Sequence, residues 1–337
     1  MRIYTTVATG DPRDAGRVFR ELEDIGYDGG FAFESKHDPF FPLVIAAGAT
    51  QRLRLGTAVA IGFARNPMVL ANIGYDLQVI GGGRFVLGLG SQVRPHIENR
   101  FSETWSQPVA RMRELVRAIR AIWDTWEGRA KLDFRGEFYR HTIMIPAFNP
   151  GPNPYGPPPI FLGGFGPRMI ELAGEVADGF LAHPFATRRS LRQVVVPALE
   201  RGLARSGRTR AGFEIVCVTM VVTWTTEQEY QVARASLQEQ LAFYGSTPVY
   251  KSVLDCHGWG DLHPELNRLS KQGRWKEMNG LITDEIMQEI AVMRPRREVA
   301  SAVRERLAGI GDSVSLVNNR NPDPGHFGDI VADLRSR

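Results

Sequence analysis

Apolar positions along the chain switch repeatedly between two periods, alternation or short runs of 4–9 residues and then spacing of three and four. Residues 1–8, MRIYTTVA, read as a strand, and 11–26 place Val18, Leu22 and Ile25 at helical spacing behind an Asp-Pro start. DGGFAFE (28–34) predicts a strand and FPLVIAAGAT (41–50) a helix. LRLGTAVAI (53–61) predicts the next strand, and PMVLANIGYDLQVI (67–80) opens on proline, as helices often do. RFVLGLG (84–90) and the amphipathic 108–126 complete a fourth strand–helix pair. The rhythm breaks at 131–145, where alternation around an Arg-Gly turn predicts a β-hairpin, followed by a proline-rich loop to 158. It resumes with strands at 159–165 and 178–184, each followed by a helix, and a longer strand at 213–224. A largely helical stretch from 227 to 293, a helix over 297–311, the strand SVSLVNN (313–319) and a closing helix end the chain.

Eight strands, each followed by a helix, predict a closed (β/α)8 barrel, a TIM barrel in the α/β class. A doubly wound open sheet would carry a dinucleotide fingerprint after its first strand, and ATGDPRD has no GxGxxG. The expected organisation is one barrel domain over 1–337, with insertions at about 127–158 and 243–293. The second insertion carries Phe243, Tyr244, Tyr250, Trp259 and Trp275 and is a candidate lid.

Composition narrows this only a little. The 337 residues are 43% hydrophobic and 23% charged, and the basic residues behind the net +4 are scattered rather than striped. That excludes a nucleic-acid surface and leaves a small-molecule partner. Two cysteines, Cys217 and Cys256, make neither a metal pattern nor a disulfide framework. No run reaches the roughly 18 apolar residues of a membrane span. Residues 1–8 are too short and polar for a signal peptide, so a cytoplasmic location is expected.

Chemistry in such barrels sits at the C-terminal strand ends. That places Glu34 to Asp38, Ala58 to Gly62, Ser91 to Arg94, Gly163 to Gly166 and His183 at one mouth. Glycines at 163–166 allow backbone N–H groups to approach a phosphate at a helix N-terminus, or they make a tight βα turn needing positive φ. Gly88 and Gly90 inside a strand suggest close approach by a ligand or by another backbone. His37 lies beside Asp38 and is a candidate general base; a loop histidine satisfied by Asp38 is the plainer alternative. His183 is a candidate for the pocket lining. The chain has no HExxH, GxSxG or CxxC, so no metal ligands are expected, and a phosphate-bearing organic cofactor is left to carry the chemistry.

Three blocks in order, LRLGTAVAIGFARNP, LQVIGGGRFVLGLGSQV and LGGFGPRMIELAGEVADG, resemble the bacterial luciferase-like superfamily, and within it the oxidoreductases dependent on the deazaflavin coenzyme F420. HDPFFPL, GLGSQV, FYGSTPVY and HGWGDL are similar to an actinobacterial-type subgroup. The resemblance implies a bulge in the third strand with a non-prolyl cis peptide between Ala58 and Val59, supporting the deazaflavin ring. It implies that Gly163, Gly164, Phe165 and Gly166 hold the cofactor phosphate, with Gly90, Ser91 and Gln92 also at the cofactor. His37, positioned by Asp38 or Glu34, would transfer the proton while hydride moves. Phe41 would line the substrate pocket where relatives carry tryptophan. Those relatives carry a glutamate just after strand four; here the matching position is Val93. The implied activity is hydride transfer between deazaflavin C5 and a small apolar compound, in a homodimer. An FMN-dependent monooxygenase served by a separate reductase, and a non-catalytic deazaflavin-binding protein, are the alternatives.

Overall fold

The computed structural model describes residues 1–8, 10–318 and 323–336. Its eight long strands are β1 (Arg2–Val7), β2 (Gly29–Ala32), β3 (Arg54–Thr57), β4 (Phe85–Gly90), β5 (Ile160–Gly163), β6 (Gly179–Ala182), β7 (Glu214–Val222) and β8 (Ser313–Val317). All pair in parallel in chain order, and β8 pairs with both β7 and β1, so the sheet closes on itself. Parallel strands covered on both faces need apolar side chains on both, which is why they read as runs rather than alternations. The last predicted strand ends at Val317; Asn319 lies outside the described residues.

The helices flanking the barrel begin and end where their sequences say. Helix α1 (Ala15–Ile25) buries Phe19 and Leu22 and stops at Gly26, whose φ of +102° a side chain would resist. Helix α2 (Phe40–Ala49) follows β2. Helix α3 (Pro67–Ile80) starts with Asn66 accepting from the Met68 amide, and Pro67 fills its first turn. Then come α4 (Arg94–Asn99), α5 (Pro108–Trp126), α6 (Pro167–Val176) and α7 (Val196–Arg205). The predicted hairpin is present, pairing Phe134 with His141 and Arg135 with Arg140. It is tied to α5 by Glu114, whose carboxylate accepts from the amides of Glu137, Phe138 and Tyr139.

The helical stretch starts at Glu227, where the sequence pattern places it. Its first helix, α8 (Glu227–Ser246), is set by a Thr226–Glu229 capping box, so Phe243 and Tyr244 end a helix rather than begin the block. Helices α9 (Lys251–Cys256), α10 (Leu262–Lys271), α11 (Trp275–Gly280) and α12 (Asp284–Ile290) complete it around a separate apolar core containing Leu241, Leu254, Leu266 and Met287. That core continues onto Met220 and Val222 of β7, which fixes the block over the barrel's C-terminal end. Val292 and Met293, taken for helix from sequence, instead extend the sheet beside Val221 and Val222. Helices α13 (Val299–Leu307) and α14 (Gly328–Arg335) close the chain.

Inside the barrel, Tyr4, Phe31, Val86, Phe161, Leu181 and Val216 form the plug. Beneath it, at the N-terminal end of the strands, Glu214 accepts from Tyr4 Oη at 2.8 Å and from Arg54 Nη1 at 2.6 Å, with Arg2 and Ser313 also bonded to it. This ion-pair cluster serves the stability of the barrel's N-terminal end, and the C-terminal end is left for chemistry.

Candidate active site

Above the plug opens a cavity of about 1170 Å³, lined from the C-terminal strand ends and roofed in part by Tyr244, Val249 and Tyr250 of the insertion. Its floor is built where β3 is interrupted. Leu55 pairs with Phe85 and Gly56 with Val86, an offset of 30; beyond the break Ala60 pairs with Leu89 and Ile61 with Gly90, an offset of 29. One extra residue has entered β3, which is a β-bulge. The peptide joining Ala58 and Val59 in it is cis, as expected from the resemblance. Thr57 Oγ1 bridges the interruption by donating to Gly88 O (2.6 Å) and accepting from Gly88 N (2.9 Å). The Val59 side chain occupies the space that Cβ atoms on Gly90 and Gly163 would need, at 2.6 and 2.7 Å. Those two glycines are therefore explained by the floor itself.

At one edge of this floor lies the glycine turn. Gly166, at φ +84°, caps α6, and Pro167 stands at its first position. The amides of Gly164, Phe165 and Gly166 have no acceptor among the described residues. Arg168, which also lines the cavity, has no carboxylate partner among them. Three open N–H groups, a helix N-terminus and an adjacent guanidinium make an anion cradle. A phosphate-bearing flat cofactor fits this geometry: an edge for the phosphate, and a floor of small apolar groups for the ring. Arg168 was missed from sequence; the Pro-Arg pair opening a helix behind glycines is the signal that was there to use.

Beside the glycine turn, the loop after β4 supplies Ser91, Gln92 and Val93 to the lining. Gln92 adopts φ +60° and its own Oε1 accepts from the Val93 amide at 3.0 Å. No carboxylate comes from this loop, because Glu98 faces Arg94 at 2.9 Å. Glu34 is the carboxylate at this side of the cavity. It accepts from Ile61 N (2.8 Å) and from Arg65 (2.6 Å), and Arg65 also reaches Asp38 at 2.8 Å. Burial alone would lower the Arg65 guanidinium, but Glu34 and Asp38 outweigh it and hold it above its ordinary value.

This network changes where the opening loop's residues stand. Glu34 and Asp38 are engaged by Arg65 and neither bonds His37. His37 is exposed at the rim, outside the lining, with Nε2 3.2 Å from Gly10 O. Phe41 is 69% exposed on the outer face of α2 and does not line the cavity.

His183, at the end of β6, lines the cavity. The Phe185 amide donates to its Nδ1 at 3.2 Å. Its ring stacks on Tyr250 (4.5 Å between centroids, 29°) and meets the edges of Tyr244 and Phe165 at 5.1 and 5.5 Å. Burial pushes this imidazole down to about 3 and the Tyr250 hydroxyl up to about 12, so both are neutral near pH 7. Trp105, from the irregular segment between α4 and α5, also reaches the lining; nothing periodic announced it.

A closed barrel with a bulged third strand, a glycine turn after the fifth and a helical block over the mouth defines a class of enzyme barrels. Residues 2–313 match the family model for luciferase-like monooxygenases, and the chain belongs to that family. An uncharacterized protein of Mycobacterium tuberculosis (strain ATCC 25618 / H37Rv) is 54% identical over 293 residues, 87% of this chain and 86% of its own. An F420-dependent glucose-6-phosphate dehydrogenase of Nakamurella multipartita is 31% identical over 218 residues, 64% of this chain and 61% of its own. Among solved structures, the coenzyme F420 dependent tetrahydromethanopterin reductase from Methanopyrus kandleri superposes with a TM-score of 0.76 at 19% identity, covering 98% of this chain and 95% of that one. Among the described residues there is no cluster of three metal-ligating side chains and no helix long and apolar enough to cross a membrane.

Proposed function

We propose that the chain is a coenzyme F420-dependent oxidoreductase acting on a small organic compound. The observation that carries this reading is the acceptor-free amides of Gly164, Phe165 and Gly166 beside the Val59 floor. Those amides and Arg168 would hold the cofactor phosphate, and Ala58, Val59, Gly90, Ser91 and Gln92 would surround the ring. When bound, the deazaflavin supplies a hydride donor or acceptor at one ring carbon. The F420-dependent names of the relatives support it, and so does the order of the three sequence blocks. His37 enters as the proton-transfer group on the resemblance; its place at the rim, in contact with bulk water, suits a relay from solvent.

The test is quenching of tryptophan fluorescence, which Trp105 in the lining should report, on titration with oxidised F420 and separately with FMN. Saturation at micromolar F420 with FMN at least about tenfold weaker is the expected result, one factor of ten being 1.4 kcal/mol. Tighter FMN binding would move the chain to the flavin monooxygenases. In the same assay His37→Ala should leave the F420 affinity unchanged while turnover falls by about 100-fold, within the range of general acid–base catalysis.

The homodimer also belongs to this reading. Helix α2 carries no charged side chain, and Phe41, Val44 and Ile45 are exposed on it. Val69 and Ile80 are likewise exposed on neighbouring α3. Light scattering should give twice the chain mass, and Ile45→Glu should shift it to the monomer. A monomeric wild-type chain would end this part of the proposal.

A further inference from the structure

Strands four places apart face one another across an eight-stranded barrel, so the β3 floor looks toward β7 and its neighbours. A ring resting on Ala58 and Val59 leaves the space between itself and the far wall for the substrate; this step rests on the cofactor reading above. Charge is the first property of that wall. Among the residues lining it from β6, β7 and the insertion are His183, Val218, Tyr244 and Tyr250, and none of those lining residues is a lysine or arginine. The cationic side chains in the lining are Arg94, after β4, and Arg168, in the first turn of α6 beside the glycine cradle.

Hydrogen bonding is the second. Because the Phe185 amide donates to Nδ1, that nitrogen carries no proton and the neutral ring has its N–H at Nε2. Nε2 has no partner among the described residues and is not among the sealed-off polar atoms of the interior. Stacking on Tyr250 and edge contacts with Tyr244 and Phe165 fix the ring's plane. A fixed donor in an aromatic enclosure is a device for orienting one acceptor atom.

We infer that His183 is a specificity-determining residue of this site, its Nε2–H donating to the oxygen of a neutral carbonyl or hydroxyl compound whose flat or apolar body lies against Tyr244 and Tyr250. The wall disfavours phosphorylated and other anionic substrates, since it offers them no cation to repay their desolvation. Burial keeps the imidazole neutral, so its donor is present across the neutral pH range. Here the chain differs from what its sugar-phosphate-oxidising relative is named for.

The experiment is titration of the full chain with acetophenone, with its oxygen-free counterpart ethylbenzene, and with glucose 6-phosphate. Ligand-observed NMR reads binding and the ¹⁵N shift of the His183 ring reads the hydrogen bond, with and without oxidised F420. Acetophenone should bind about tenfold more tightly than ethylbenzene, the worth of one net hydrogen bond, and should alone move the Nε2 resonance. Glucose 6-phosphate should bind at least about tenfold more weakly than acetophenone. His183→Phe should erase the preference for the ketone, and His183→Gln, which retains an N–H near that position, should restore part of it. A folded His183→Phe that keeps the preference, a wild-type chain without one, or tight sugar-phosphate binding would overturn the inference. Visible absorption of F420 in the same samples separates the two claims. Discrimination without F420 binding sinks only the cofactor reading; F420 binding without discrimination sinks only this one.

Discussion

Gly164→Asp should raise the dissociation constant for F420 by at least about 100-fold while leaving the fold intact. A Cβ at this position meets Met169 Cγ at 2.5 Å, and Met169 is a flexible side chain that can shift. The new carboxylate would accept from the turn's open amides and face any phosphate held there. Two unit charges about 4 Å apart repel by about 4 kcal/mol at an effective dielectric constant of 20, more than the 2.7 kcal/mol that a 100-fold change requires. Gly164→Ala separates charge from bulk and should cost no more than about fivefold, since it adds only the displacement of Met169. Equilibrium titration, with circular dichroism as the check on folding, reads both variants. An aspartate variant that binds within threefold of wild type would remove the phosphate from the glycine turn.

The parts of this site that could be read from sequence are the local ones. Eight strands were visible because burial on both faces writes a continuous apolar run into each. The insertion of one residue in β3 leaves its mark in a short block, GTAV, and the cradle in another, GGFG. What could not be read depends on partners distant in the chain. Arg65 draws Glu34 and Asp38 away from His37, a contact across 27 and 31 residues that no period in the loop announces. Phe41 points outward because α2 is apolar all round, so its pattern does not say which side faces the barrel. His183 was legible as a strand-end residue, but its tautomer depends on the Phe185 amide and its enclosure on Tyr244 and Tyr250, some sixty residues away.

Glu214→Gln should cost the fold about 3 kcal/mol at pH 7, the range expected when one partner of a buried ion pair is removed. The carboxylate joins four strands at the barrel's N-terminal end: Arg2 and Tyr4 from β1, Arg54 from β3 and Ser313 from β8, all meeting on β7. Arg54 is three-quarters buried and lies over Phe161 at 5.2 Å, so without Glu214 its charge stays in an apolar setting with no counter-charge. Glutamine keeps the size and one acceptor, which confines the loss to charge. Burial by itself would raise the Glu214 carboxyl, but Arg54, Ser313 and Tyr4 outweigh it and hold it below its ordinary value. A carboxyl depressed in the folded state stabilises fully above its unfolded pKa, near 4.3, and that stability is lost as pH falls through the folded value. The gap between wild type and variant in urea unfolding should therefore be widest at pH 6–7 and shrink below about pH 4. A gap that stays constant down to pH 3 would mean that Glu214 acts through its shape and hydrogen bonds alone, with its charge contributing nothing to closing the barrel.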